Sequence, residues 1–470
     1  MIEIPQSLFD VYALALPSGL AFGDDTPIGA WVSESSETCA ALTRNANHGL
    51  FGCLVMRRRV DDVWRVLRRE VGMSKGQALD AIGAALQGKP DREPVPPGVP
   101  RRPPLWDLEG VEPSNIFRAL AQPSRHTGAW MLNQLYLALP RPDDNWARDC
   151  QTGNFHTRLW EAHLLACFRE QGLRVTQDFP SPDFHISNRY GGEAWIEAVT
   201  TNSAVRYDQY GAEPSLPPKD WAEKLIGPAA VRFAKTIRNK LQKNYQQLPH
   251  VTGKPFAIAV ADFHAASSMV WSREALPCYL YGRLPKIIER DGERVAVADE
   301  IRVLLGSEGI PAGLFASDTC AHLSAIVFSS GCSISKLSRV AISAGAKETD
   351  YRYVRFGEFY DRTPGALTSI PFCMDVTSAE YKALWEPYGY EPWSAELEVF
   401  HNPFAAHPIP DALFPEAQHW HMIGGEGICR AFYPYSILRS RTLVLDAKKP
   451  VPTVEQLFGK TDETEADPDE

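Results

Sequence analysis

The chain has 470 residues, 44% hydrophobic and 23% charged, with 37 prolines and 33 glycines. That length allows more than one folding unit and a large core, and no run of eighteen apolar residues marks a membrane span. Against 58 acidic side chains stand 48 basic ones, a net charge of −10 that excludes a general nucleic-acid coat while leaving room for a local basic groove.

The start has no basic leader segment and soon meets Pro5, Ser18 and Gly19, so no signal peptide is expected. Nine cysteines form no Cys-x-x-Cys pair. They argue against a disulfide scaffold, a zinc ribbon or a dithiol redox site, and for reduced thiols in the cytoplasm.

Residues 28 to 56 alternate apolar and polar, with turn signals at Asn45-Ala46-Asn47 and His48-Gly49, and predict a small β-meander. Two helices are expected next, over about 60 to 71 and around Leu79, Ile82 and Leu86. The arginines nearby (Arg57, Arg58, Arg59, Arg65, Arg68, Arg69, Arg101 and Arg102) read mostly as a solvated face. Seven of the seventeen residues from Gly88 to Pro104 are proline. Such a stretch supports neither a helix nor a central strand, so 89–104 reads as an extended linker after a small α+β domain at 1–88.

Helices are then expected over 115–139 and 154–170, the second stopped by Gln171-Gly172. Short strands follow near 173–177, 183–187 and 194–200. A long helix runs over about 222–246, interrupted or started at Gly227-Pro228. The apolar run Pro255 to Val260 has the character of a strand buried on both faces. Helix, strands, helix, buried strand is the pattern of an α/β sandwich, with its core placed at 105–275. Residues 276–458 read as a mixed α+β extension packed on that core, with a strand near 323–328. The segment 459–470, rich in Asp and Glu, reads as a disordered tail.

The chemistry concentrates in 155–260. Ser181 to Ile186 and Ala194 to Thr200, joined by a turn with Gly191-Gly192, predict a hairpin. With the turn centred near Tyr190, Asp183 and Glu197 stand opposite one another on one face, Cβ atoms roughly 4.5–5.5 Å apart. Two carboxylates that close need a shared proton or a divalent cation. The carbonyl of Ala198 adds a third oxygen ligand, and an all-oxygen set suits Mg²⁺ or Mn²⁺ better than zinc.

This arrangement resembles the PD-(D/E)XK nuclease superfamily, whose restriction-endonuclease-like core is an α-β-β-β-α-β unit. The resemblance covers about 155–265. It implies that Asp183 and Glu197 are the metal-binding acids and that Glu161 is the acid of the preceding helix. The lysine of the family's Glu-x-Lys would fall at Val199, so this chain departs from the pattern there. In some branches that lysine has moved to the neighbouring helix. Here Phe233, Ile237 and Leu241 form that helix's buried edge, and Lys240 and Lys243 share a face beside it. Lys240 is the first candidate and Lys243 the second.

Eight basic residues (Lys219, Lys224, Arg232, Lys235, Arg238, Lys240, Lys243 and Lys254) crowd 219–254 on an otherwise acidic chain. Arg232, Lys235, Lys240 and Lys243 are the expected phosphate contacts. The implied function is a Mg²⁺-dependent endonuclease acting on DNA, as a possible homodimer, in restriction or antiphage defence. The alternative, motivated by Val199, is a catalytically silent nucleic-acid binder or sensor.

Other candidates weigh less. His163 reads as a packed helix histidine and His185 as a strand histidine satisfied by hydrogen bonds. His419-Trp420-His421 puts two imidazoles on one strand face, but with no third ligand evident a metal pair is not the favoured reading. Gly459-Lys460-Thr461 lacks the earlier glycine of a phosphate-binding loop, because Val454 stands there.

Overall fold

The computed structural model describes residues 1–88, 91–202, 214–306, 309–363 and 366–459. The acidic tail from residue 460 onward, and Lys89-Pro90 of the proline-rich segment, lie outside them.

The chain opens with β1 (Ile2–Ile4), α1 (Gln6–Ala13), β2 (Asp25–Val32), β3 (Thr38–Asn45), β4 (Phe51–Arg58) and β5 (Trp64–Met73), then α2 (Lys75–Leu86). The strands form one antiparallel sheet in sequence order. Period-two alternation splits it into two dry faces. Ala41, Leu54 and Met56 pack toward α1, and Ala40, Leu42 and Val55 toward Ala78, Ile82 and Leu86 of α2. The Ser74 hydroxyl caps α2, and Gln77 closes a capping box.

Residues 60–71 are not the expected helix but largely strand β5, paired antiparallel with β4. The hydrogen-bonding edge of β4 demanded a partner, and that tertiary demand outweighed the local helical spacing. The arginine face is also divided. Arg65, Arg68 and Arg69 are exposed, whereas Arg58 and Arg59 are buried. Arg58 lies over the Trp64 ring at 3.9 Å and donates to Gln134 Oε1 at 2.7 Å. Arg102 donates to the Tyr136 and Leu139 carbonyls. These guanidinium groups fasten the N-terminal sheet and the proline-rich segment to the helices beyond.

Those helices are α3 (Asn115–Leu120), α4 (His126–Ala138), α5 (Trp146–Gln151) and α6 (Phe155–Glu170). The single helix expected over 115–139 is broken at Pro123, which has no N–H to continue the ladder. Then come β6 (Arg174–Thr176), β7 (Phe184–Ser187) and β8 (Glu193–Asn202), a run of antiparallel neighbours. Helices α7 (Trp221–Ile226) and α8 (Pro228–Leu241) meet at Gly227, where a Cβ would lie 2.3 Å from the Glu223 carbonyl oxygen. Strand β9 (Phe256–Phe263) follows and pairs parallel with β8.

β9 is buried along its whole length. Its Ala257, Ala259 and Ala261 face the layer containing α4 and α6, while Phe256, Ile258 and Val260 face the layer containing α8. The small residues let α6 approach closely enough for Trp160 Nε1 to donate to the Ala259 carbonyl at 3.1 Å. The result is a helix–sheet–helix sandwich of the α/β class.

The sheet does not end near residue 275. After α9 (Met269–Ser272), α10 (Ala275–Tyr281) and the hairpin β10 (Arg283–Arg290) and β11 (Glu293–Glu300), strand β12 (Ala325–Ser329) pairs parallel with β9. Next are α11 (Ile334–Ser343), β13 (Tyr351–Tyr360), β14 (Ser369–Asp375), α12 (Ala379–Ala383), β15 (Leu397–His401), β16 (Gln418–Ile423), β17 (Glu426–Arg430), β18 (Ile437–Asp446) and α13 (Val454–Phe458). The central sheet thus has eight strands in the order β17-β16-β15-β12-β9-β8-β7-β6, beside a small sheet β14-β13-β18.

An ionic cluster joins the small sheet to the sandwich. Glu391 accepts from Arg339, Lys336 and Arg355, and Glu396 from Lys336 and Arg355, all buried. Among the described residues, no helix is long and apolar enough to cross a membrane.

Candidate functional site

The hairpin β7–β8 sets the geometry. Its register pairs Phe184 with Ile196 and Ser187 with Glu193. Continuing that register by one step sets Asp183 across from Glu197. On β8 the side chains alternate. Ala194, Ile196 and Ala198 pack in the α6 layer, and Trp195 packs in the α8 layer. Glu197 shares the parity of Trp195 and is therefore presented to α8.

Asp183 is half-buried, and its Oδ2 accepts the Ala198 N–H at 2.7 Å. In a strand the N–H and C=O of one residue point to the same edge, so the Ala198 carbonyl is turned toward the Asp183 side as well. Glu197 is 4% exposed. Its Oε1 accepts from Lys240 Nζ at 2.5 Å and from the Tyr245 hydroxyl at 2.7 Å. Its Oε2 is buried with no hydrogen-bond partner among the described residues. A buried carboxylate oxygen without a donor is costly, and it is a natural ligand for a cation.

The electrostatics follow from this crowding. Burial pushes the Asp183 carboxyl up to about 8, and the nearby acids Glu197 and Glu161 push the same way, against the Ala198 N–H and Lys240. Without a cation the pair retains a proton into the neutral range. Tyr245, desolvated and bonded to Glu197, is held protonated as a donor.

Glu161 sits on α6, in the layer on the other side of the sheet. Trp146 Nε1 donates to its Oε2 at 2.7 Å, and Arg158 Nη1 reaches Oε1 at 3.0 Å. Arg158 is shared with Asp143 and Asp149. Glu161 is thus engaged by its own helix and its neighbours, and it reaches Asp183 only through its charge.

The basic candidates separate. Lys240 is at the acid pair. Helix α8 ends at Leu241, short of the expected 246, so Lys243 falls in the following turn, exposed, and no longer shares the face of Lys240. Lys235 is exposed. Arg232 turns inward, its Nη2 3.9 Å from Asp262 Oδ2, rather than out to solvent. Asp262 in turn accepts from Thr201, Ser272 and His264.

Tyr245 was not singled out by its sequence, since nothing in a lone tyrosine after a helix marks it as a carboxylate partner. The wall beside Asp183 is aromatic: Phe179 stacks on His250 at 3.8 Å, and Trp195 stacks on His185 at 4.4 Å. His185 is tied to Glu193 at 2.8 Å, the hydrogen-bonded role its strand position suggested.

The donor set fits a hard divalent cation. Asp183, Glu197 and the Ala198 carbonyl offer oxygens only, and one of those oxygens is orphaned. A cavity of about 310 Å³ lies elsewhere, lined by His156, Phe263, Ser268, Ser333 and Arg339, and it includes none of the three. No family model, curated protein or solved structure matches this chain.

Proposed function

We propose that the chain is a Mg²⁺-dependent nuclease that hydrolyses phosphodiester bonds of DNA, built on a restriction-endonuclease-like core. The observation that carries this reading is the meeting of Asp183, Glu197 and Lys240 on one sheet face, with Lys240 delivered by α8. The order α6, β6, β7, β8, then the helical segment α7–α8 broken at Gly227, then β9, parallel to β8, supports it as well. That is the α-β-β-β-α-β sequence of the superfamily.

Asp183, Glu197 and the Ala198 carbonyl would hold the cation. When bound, it supplies positive charge that offsets the phosphate and makes water a better nucleophile. The protein's own groups do the rest. Lys240 holds Glu197 in place and carries an ammonium group to the edge of the site, where it orients water or meets charge developing on the phosphate. Tyr245 fixes the same carboxylate from the second side and, staying protonated, cannot compete as a ligand. The exposed Lys235 and Lys243, on the same helix and the turn after it, are further cations that this reading assigns to the phosphate backbone.

Purified wild type and Asp183→Ala, incubated with plasmid and linear DNA in Mg²⁺ and in chelator, test this. Cleavage that needs Mg²⁺ and falls by about a hundredfold or more in the variant supports the nuclease. Equal rates in the two proteins refute the assignment. A second reading has its own observation: Lys240, Tyr245 and the Ala198 N–H already engage one oxygen of each carboxylate. DNA binding without cleavage by the wild type, with no Mg²⁺ uptake, would favour that silent binder.

A further inference from the structure

We propose that His401, Asp411, His419 and His421 form a second metal site, closed by four protein ligands and suited to a late first-row divalent ion of the zinc class. It is the only group of three or more His, Cys, Asp or Glu among the described residues whose ligand atoms lie within 4.8 Å of one another.

The fold builds it from two strands and their connection. β15 and β16 run parallel, with Val399 beside His419 and Phe400 beside Trp420. One further step of that register places His401 beside His421, and His419 and His421, two residues apart, share a face. The His401 and His421 rings are stacked, with centroids 4.1 Å apart and planes 10° apart. Asp411 comes from the connection between the strands. The sequence shows only the His-x-His pair, because the other two ligands lie ten and twenty residues before His421 and have no local spacing signal.

The ligand atoms converge. His401 Nε2 is 2.8 Å from His419 Nδ1, and His421 Nε2 is 3.0 Å from Asp411 Oδ1. Asp411 Oδ1 also lies 3.5 Å from His401 Nε2 and 3.6 Å from His419 Nδ1. Four ligands at zinc bond lengths on a tetrahedron stand about 3.3 Å apart; these four separations bracket that value, and the whole set, spread over up to 4.8 Å, would draw together around an ion.

The surroundings orient the set. His419 Nε2 lies 2.8 Å from the Phe414 carbonyl, which fixes the proton on Nε2 and leaves the Nδ1 lone pair facing the centre. Arg430 holds the other oxygen of Asp411, Oδ2, at 3.3 Å, which leaves Oδ1 for the centre. His401 and His419 are buried, while His421 and Asp411 are half-exposed and give an ion a way in. Three nitrogens and one oxygen select zinc or its neighbours over Mg²⁺.

With all four positions supplied by the protein, the ion would tie the connection between β15 and β16 to the sheet rather than perform chemistry. Strands β12 and β9 stand between this site and β8, so the proposal is independent of the nuclease reading.

Tag-free full-length protein grown with zinc should contain about one equivalent of metal by mass spectrometry. His421→Ala and Asp411→Ala should lose it, and Glu197→Gln should keep it. Metal-stripped wild type titrated with Co²⁺ should develop the visible bands of a tetrahedral site. Chelation should lower the melting temperature of wild type and Glu197→Gln, and leave His421→Ala and Asp411→Ala unchanged. Folded wild type with neither zinc nor the Co²⁺ bands would overturn the proposal and leave a hydrogen-bonded histidine cluster. So would metal content unchanged in both variants. Should either variant fail to fold, the Co²⁺ titration of wild type decides alone.

Discussion

Lys240 Nζ sits 2.5 Å from Glu197 Oε1, joining helix α8 to strand β8 across 43 residues of chain. Val199, two residues after Glu197, lies on the same face of β8 and is packed among apolar side chains of the α8 layer. The ammonium that β8 itself does not carry is therefore supplied from the helix above it. Lys240→Ala is expected to lower the cleavage rate by about 10²–10³-fold while DNA affinity changes little. Single-turnover kinetics beside a binding assay would check both.

Lys243 makes the opposite prediction. It is exposed in the turn beyond α8, away from the acid pair, and in the proposed nuclease its role is to meet the phosphate backbone. Lys243→Ala should leave the single-turnover rate at saturation near wild type and weaken binding uniformly across sequences. The slope of log affinity against log salt should fall by about one.

Asp183→Asn should trade activity for stability. The Asp183 carboxyl, raised from 3.8 to about 8, binds a proton more tightly in the folded than in the unfolded chain. Its contribution is therefore fully present below about pH 4 and is lost as pH rises through about 8. Asparagine mimics the protonated form without its titration. Melting temperatures in chelator should be higher for the variant than for wild type near pH 8, with the gap closing toward pH 4. Added Mg²⁺ should stabilise only the wild type.

A second acid pair predicts a pH effect far from the site. Glu170, at the end of α6, accepts from the Trp393 and Ser394 N–H groups, and Glu416 shares the Ser394 hydroxyl. Burial, with Glu416 adding to it, pushes Glu170 from 4.5 up to about 8. The sign is the same: stability from this group declines as pH rises from about 4.5 to about 8. Glu170→Gln should flatten the fall of melting temperature with pH over that window.

Glu391 is the hub of the buried ionic cluster. Burial would raise its carboxyl, yet Arg339, Lys336 and Arg355 hold it well below the usual range. Glu391→Gln leaves three cations facing the single acid Glu396 and should cost about 3–5 kcal/mol in urea unfolding. Lys336→Met, which leaves two cations and two acids, should cost less.

Much of the sandwich could be read from residues alone. The hairpin register followed from the turn at Asn188 to Gly192, and the twice-buried β9 from its unbroken apolar run. The break at Gly227-Pro228 and the pairing of Asp183 with Glu197 rested on similarly local signals. What escaped was decided by partners distant in sequence. β5 became a strand because β4 offered an edge, and Arg58 was buried because Trp64 and Gln134 received it. Tyr245, His401 and Asp411 acquire meaning only where separate segments converge. The parallel pairing of β12 with β9 leaves no signal in either strand's own sequence.

Calorimetric titration of Mg²⁺ into metal-stripped wild type and Glu197→Gln at pH 8 tests the central claim most directly. The account predicts saturable uptake by wild type and its loss in the variant, with Asp411→Ala binding as wild type does. No uptake by wild type, or equal uptake by Glu197→Gln, would contradict it.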